Sequence, residues 1–108
     1  MIADAMRLAV PAFAKINLSL QVRGLRPDGY HELRTVFQTI KLHDVVSFSQ
    51  TSGPFDIRCD DPVCPIGHTN LIWKAAQLLW RAGGFSGTPR GVRVRLQKKI
   101  PMQAGLGG

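Results

Sequence analysis

Residues Ala14 to Arg23 alternate without a fault, with Ala14, Ile16, Leu18, Leu20 and Val22 set against Lys15, Asn17, Ser19, Gln21 and Arg23. Only an extended strand, whose side chains repeat every two residues, sorts these sets onto opposite sides; a helix would mix them. The pattern predicts a strand with the apolar set facing a core and the polar set facing away from it. Each of the larger apolar side chains would contribute roughly 1.5–3 kcal/mol on burial. A one-residue slip would expose them all, so the register is expected to be firm.

The rest of the chain continues in short punctuated elements. Gly24 to Gly29 reads as a turn, with Pro27-Asp28-Gly29 supplying the turn chemistry. Leu33–Leu42, Val45–Gln50 and Phe55–Cys59 read as further strands, the last two separated by Gly53-Pro54. Asp60 to His68 reads as a loop. From Leu71 the period changes to that of a helix: Leu71, Ile72, Ala75, Leu78, Leu79 and Ala82 fall on one face. Thr69 or Asn70 can cap its start, and Gly83-Gly84 ends it. Gly91 to Lys99 alternates again as a strand and leads through Ile100-Pro101 into Ala104-Gly105-Leu106-Gly107-Gly108. The order of strands, one helix, strand and glycine loop predicts an α+β class with a mixed sheet.

At 108 residues and 44% apolar composition, the chain is one domain or part of one, with enough apolar material for a core. No apolar run approaches the roughly 20 residues of a membrane span. The start is too short and too interrupted by Asp4 and Arg7 for a signal peptide, so a cytoplasmic protein is expected. The net charge of +7 favours anionic partners, unless a missing acidic segment balances it. The basic residues are scattered, which argues against a dedicated nucleic-acid patch. Cys59, Cys64 and His68 offer three metal-ligand types, but no second Cys/His pair completes a zinc pattern, and two free thiols in a structural loop are expected.

Three features carry chemistry. Lys15 and Asn17 share one side of the first strand, where a lysine can neutralise a phosphoryl group and an asparagine can orient it; a solvent-facing strand fits the same pattern. Tyr30-His31 after the turn offers a ring and an imidazole suited to a planar base, or simply partly exposed loop residues. The closing glycines can expose successive N–H groups to phosphate oxygens, although they lack the Gly-Lys-Ser/Thr ending of a P-loop and the spacing of the dinucleotide fingerprint.

Taken in order, Ala14-Lys15-Ile16-Asn17-Leu18, Arg26-Pro27-Asp28-Gly29-Tyr30-His31-Glu32-Leu33, Thr35, Phe37-Gln38, Asn70-Leu71-Ile72, Lys98, Pro101-Met102 and Ala104 to Gly108 resemble the 4-diphosphocytidyl-2-C-methyl-D-erythritol kinase family. The glycine loop is shared by the wider GHMP kinase superfamily, whereas the Asp-Gly-Tyr-His-Glu stretch is much more specific and argues against the homoserine, mevalonate and galactose kinases. The resemblance implies the front half of a ribosomal-protein-S5 domain 2-like N-terminal domain. Residues 10–108 would form it, residues 1–9 would be an extension, and the chain would end inside the phosphate-binding loop.

The implied activity is ATP-dependent phosphorylation of the 2-hydroxyl of the cytidine-diphosphate methylerythritol in non-mevalonate isoprenoid synthesis. Lys15 and Asn17 would serve the acceptor hydroxyl and the transferring group. Tyr30, His31 and Phe37 would hold the cytidine end. Asn70, Lys98, Pro101, Ala104, Gly105, Leu106, Gly107 and Gly108 would bind ATP, with Mg2+ accompanying it. No acidic residue here matches the family's catalytic aspartate, and Phe13 stands where many members have proline. The 108 residues alone are therefore expected to show no turnover and to be prone to self-association through uncovered apolar surface. The rival expectation is a non-catalytic basic module binding nucleic acid or nucleotide on the same fold.

Overall fold

The computed structural model describes residues 6–108. It has four strands and one helix in the order β1 (Arg7–Leu25), β2 (His31–Pro54), β3 (Asp56–Cys59), α1 (Leu71–Ala82) and β4 (Arg90–Gln97). They build one mixed sheet of order β1-β2-β4-β3, in which β1 and β4 run antiparallel to β2 and β3 runs parallel to β4. The α+β class and the mixed sheet with one helix match the expectation from sequence. Residues 7–9, set apart at the sequence level as an extension, are paired strand residues opposite 47–49; residues 1–5 of that extension lie outside the described residues.

Two expected strands, Leu33–Leu42 and Val45–Gln50, are one. His43-Asp44 does not break β2: it pairs with Phe13 and Ala12, and after an irregularity the ladder resumes with Thr39 opposite Lys15. The polar pair is accommodated because Asp44 finds donors inside the fold.

The expected single apolar face of β1 is not observed. Only Ala14 is buried, at 0% exposure, while Leu20 and Val22 are 52% and 65% exposed. The ladder explains this. Asn17 pairs with Phe37 and Ser19 with Val36, so Leu18 is an extra residue with no partner. Such a bulge reverses the sides that later residues occupy. Leu20 and Val22 pair with Thr35 and Leu33, which lie on the same side of β2 as Phe37. Perfect alternation in the sequence thus becomes two half-faces, and among the described residues no helix covers the ribbon beyond the bulge.

The core lies where β2, β3 and β4 meet α1. Phe55, Ile57, Cys64, Val94 and Leu96 are buried, with Val46, Phe48, Ile72, Trp73, Ala76 and Met102 packed against them. The Phe55 and Trp73 rings meet at 5.1 Å, and His68 packs on Trp73 at 4.4 Å. The helix bounds and ends follow the sequence: Asn70 Oδ1 accepts from the Ile72 N–H at 2.8 Å, and Gly83 closes the last turn. The packed face differs from the expected one. Ile72, Trp73 and Ala76 meet the sheet, whereas Leu71 and Leu79 of the expected stripe are 77% and 76% exposed. The helix therefore carries two apolar faces, and the sheet takes the one with the large indole. Among the described residues no helix is long and apolar enough to cross a membrane.

Candidate active site

After β4 the chain passes through Lys98 to Pro101 and turns back across the edge of the sheet. β1 is an edge strand, so its outer backbone groups are open to pairing. The Lys15 N–H donates to the carbonyl oxygen of Leu106 at 2.9 Å, and the Lys15 ammonium donates to the carbonyl oxygen of Gly105 at 3.0 Å. The glycine loop is thereby held to the residue that sequence reasoning placed at the transferring group.

Glycine is required here by geometry. Gly107 has φ +80°, and a Cβ there would lie 3.2 Å from Lys15 Cγ. A Cβ on Gly108 would collide with the Ile100 side chain. The loop backbone thus rests directly on the Lys15 stem and on Ile100, which is itself buried.

Lys15 is half-buried, its ammonium 5.6 Å from the centre of the Phe37 ring. That distance is compatible with a cation–π attraction. One of its three N–H bonds is used by Gly105, leaving two to donate. Thr35, also on this side of the ribbon, donates its hydroxyl to the Ser19 carbonyl oxygen at 2.8 Å and lies 3.3 Å from Asn17 Oδ1. Lys15, Asn17, Thr35 and Phe37 thus form a polar cluster with one aromatic wall beside the loop. Thr35 was given no role from sequence alone.

Three other predicted residues stand apart from this cluster. Tyr30 and His31 are at the tip of the β1–β2 hairpin, where Asp28 Oδ1 accepts from the Tyr30 N–H at 3.1 Å and Arg26 pairs with Asp28 at 3.1 Å. The tip is ten residues from Lys15 along β1, about 30 Å of ribbon at roughly 3.3 Å per residue. The bulges bend and twist that ribbon. Asn70 caps α1, and its Nδ2 donates to the Pro65 carbonyl oxygen at 2.8 Å.

Lys98 does not present a free ammonium. It donates to Asp44 Oδ2, and both side chains are under a tenth exposed. Asp44 Oδ1 also accepts from the N–H groups of Lys99 at 2.7 Å and Ile100 at 2.9 Å. Burial pushes the Asp44 carboxyl up, but the N–H of Ile100, the Lys98 ammonium and the N–H of Lys99 together outweigh it and hold the group below the ordinary carboxylate range. Asp44 was missed at the sequence level. The available signal was an acid set directly before the apolar pair Val45-Val46.

Cys59 and Cys64 are free thiols near Asn70 and Asp60. The Asn70 amide approaches Cys64 Sγ at 3.7 Å, and Cys59 Sγ lies 3.9 Å from Asp60 Oδ1. Burial, with Cys59 alongside, pushes the Cys64 thiol up to about 11.

The α+β fold with this loop has a counterpart in a solved kinase. The crystal structure of a 4-(cytidine 5'-diphospho)-2C-methyl-D-erythritol kinase superposes with a TM-score of 0.70 at 42% identity, covering 94% of this chain and 35% of that one. The sequences point to the same branch. The chain is 47% identical over 102 residues to the 4-diphosphocytidyl-2-C-methyl-D-erythritol kinase of Synechococcus sp. strain CC9605, covering 94% of this chain and 33% of that protein. It is 45% identical over 104 residues to that of Pelotomaculum thermopropionicum, covering 95% and 35%. With that of Prochlorococcus marinus strain MIT 9303 it shares 48% over 107 residues, covering 98% and 33%. No family model matches. Over nearly its whole length the chain is thus similar to 4-diphosphocytidyl-2-C-methyl-D-erythritol kinases, and it spans about a third of the length of the curated relatives it matches.

Proposed function

We propose that this chain is the part of a cytoplasmic 4-diphosphocytidyl-2-C-methyl-D-erythritol kinase that holds the acceptor hydroxyl and the ATP phosphates. The whole protein would transfer the γ-phosphoryl group of ATP to the substrate's 2-hydroxyl. The observation that carries this reading is the pair of hydrogen bonds joining Lys15 to Gly105 and Leu106. They put a cation with two free N–H bonds beside a glycine backbone on which side chains are excluded. A tetrahedral polyanion fits that chemistry, since phosphoryl transfer depends on positioning and charge neutralisation rather than on covalent help.

In this reading Lys15 neutralises charge on the transferring group and holds the acceptor oxygen, with Asn17 oriented beside it by Thr35. Phe37 walls the pocket, and Tyr30 and His31 receive the cytosine. Pro101 and Ala104 to Gly108 line the triphosphate. Asn70 and Lys98 shape the adenosine side through the cap of α1 and the pairing with Asp44. Among the described residues none of the groups contacting Lys15 is a carboxylate, so Mg2+ would enter on the phosphates of ATP. The general base has no counterpart among these residues and would come from elsewhere in the whole protein.

The test is ADP release by the full-length gene product given ATP and the cytidyl substrate. Substrate-dependent release is expected, with Tyr30→Ala raising the KM for the cytidyl substrate about tenfold or more and leaving that for ATP unchanged. Release that ignores the cytidyl substrate overturns the reading. The nucleic-acid alternative draws on a different surface, where Arg7, Arg93 and Arg95 line a shallow groove with Ser47 and Ser49. Salt-dependent RNA binding lost on Arg93→Ala and Arg95→Ala would favour it.

A further inference from the structure

Asp44 is a nearly buried acid, 5% exposed, that the chemistry above does not use directly. Its contacts all lead to the loop. Lys98, Lys99 and Ile100 are the consecutive residues by which the chain leaves β4, and all three donate to this one carboxylate, two through backbone N–H groups and one through an ammonium. Ile100 is in turn the surface on which Gly108 rests. Asp44 itself pairs with Ala12 on β1, three residues before Lys15. Asp44 therefore links the two walls of the site, pairing by its backbone with the strand that carries Lys15 and binding by its carboxylate the segment that launches the glycines.

Resting on the kinase reading of that site, we propose that Asp44 is its positioning residue, fixing the exit of β4 so that the glycine loop meets Lys15 in register. The working contacts are the two backbone N–H bonds on Oδ1; Lys98 balances the buried charge. The role is directed at ATP, because the segment it fixes is the phosphate loop and not the hairpin tip. A structural ion pair alone would act through Lys98 and would affect both substrates through stability.

Two double variants of the full-length gene product separate these roles. Asp44→Asn/Lys98→Met and Asp44→Ala/Lys98→Met both delete the ion pair without leaving a buried charge unpaired. Only the first keeps an oxygen to accept from the N–H groups of Lys99 and Ile100. The Ala/Met protein is expected to bind ATP about tenfold more weakly than the Asn/Met protein, the scale set by leaving buried donors unpaired. Amide exchange at Leu106 to Gly108 should be faster by a similar factor, while affinity for the cytidyl substrate is the same in both. Equal ATP affinity and equal exchange in the two proteins would overturn the proposal. So would parallel loss of both ligands with a lowered Tm. A wild-type protein that binds no ATP overturns the kinase reading instead, and the exchange rates then decide the positioning on their own.

Discussion

Lys15 and Leu106, ninety-one positions apart, are joined by a backbone hydrogen bond of 2.9 Å that ties the edge of the sheet to the glycine loop. The bond fixes the Lys15 side chain relative to loop N–H groups, and the ammonium then adds a second bond to Gly105 at 3.0 Å. Cation and loop therefore act as one unit.

Gly107 and Gly108 are the positions where this unit is most sensitive. Gly108→Ala drives a Cβ into the Ile100 side chain, and Gly107→Ala forces a side chain into a positive φ against Lys15. Left-handed backbone costs a non-glycine residue about 1–2 kcal/mol. Each variant should weaken ATP binding by about tenfold or more and lower Tm only slightly, as read by calorimetric titration and a thermal melt.

The Asp44–Lys98 pair should dominate the single-site stability changes. Lys98→Met leaves a buried carboxylate without its cation, and removal of one partner of a buried pair typically costs about 3–5 kcal/mol. The Asp44→Asn/Lys98→Met protein should lose much less. Urea unfolding of the three proteins checks this, with the double variant expected to melt above the single one.

Acid should destabilise the fold through the same groups. Asp44 is held below the ordinary carboxylate value of 3.8 despite its burial, as is Asp56, where Arg93 and Arg58 outweigh the burial. A group depressed in the folded state contributes stability above its unfolded pKa and loses it as pH falls through the folded one. Stability should therefore be flat above about pH 5 and fall steeply below pH 4. Chemical denaturation across that range should show a shallower fall for Asp44→Asn/Lys98→Met than for wild type.

Cys64 should be a poor nucleophile. Its thiol is buried and pushed up to about 11, so little thiolate exists near neutrality. At pH 8 a maleimide or iodoacetamide probe should label Cys59 first, with Cys64 labelled only on unfolding. Mass spectrometry of the native and urea-treated protein reads both.

Asn70 caps the one helix of the described residues. Asn70→Ala removes the bond to the Ile72 N–H and should cost about 1 kcal/mol, within the usual range for a lost cap. Asn70→Asp keeps the acceptor and should recover most of it in the same melt.

Local chemistry was readable in the sequence, and long-range geometry was not. The helix from Leu71 to Ala82 announced itself by its period, its Asn70 cap and its glycine stop, each set within a few residues. Lys15 and the closing glycines suggested phosphate chemistry by residue type. Their contact was not legible, because nothing local tells that the chain folds back onto the β1 edge. The bulge at Leu18 was hidden by flawless alternation, since a bulge arises from the pairing of two strands and not from one of them. Asp44 escaped for a related reason: its partners lie more than fifty residues away, so its burial could not be read from its neighbours.

In the function proposed above, Lys15 and the glycine loop form the phosphoryl-transfer centre. The most direct measurement is the turnover of Lys15→Met in the full-length gene product, with ATP and the cytidyl substrate saturating. Loss of a cation that acts on the transferring group should lower kcat by about a hundredfold or more, on the scale of other charge-stabilising donors. Cytidyl-substrate affinity should stay near wild type. A kcat within a few-fold of wild type would contradict the account.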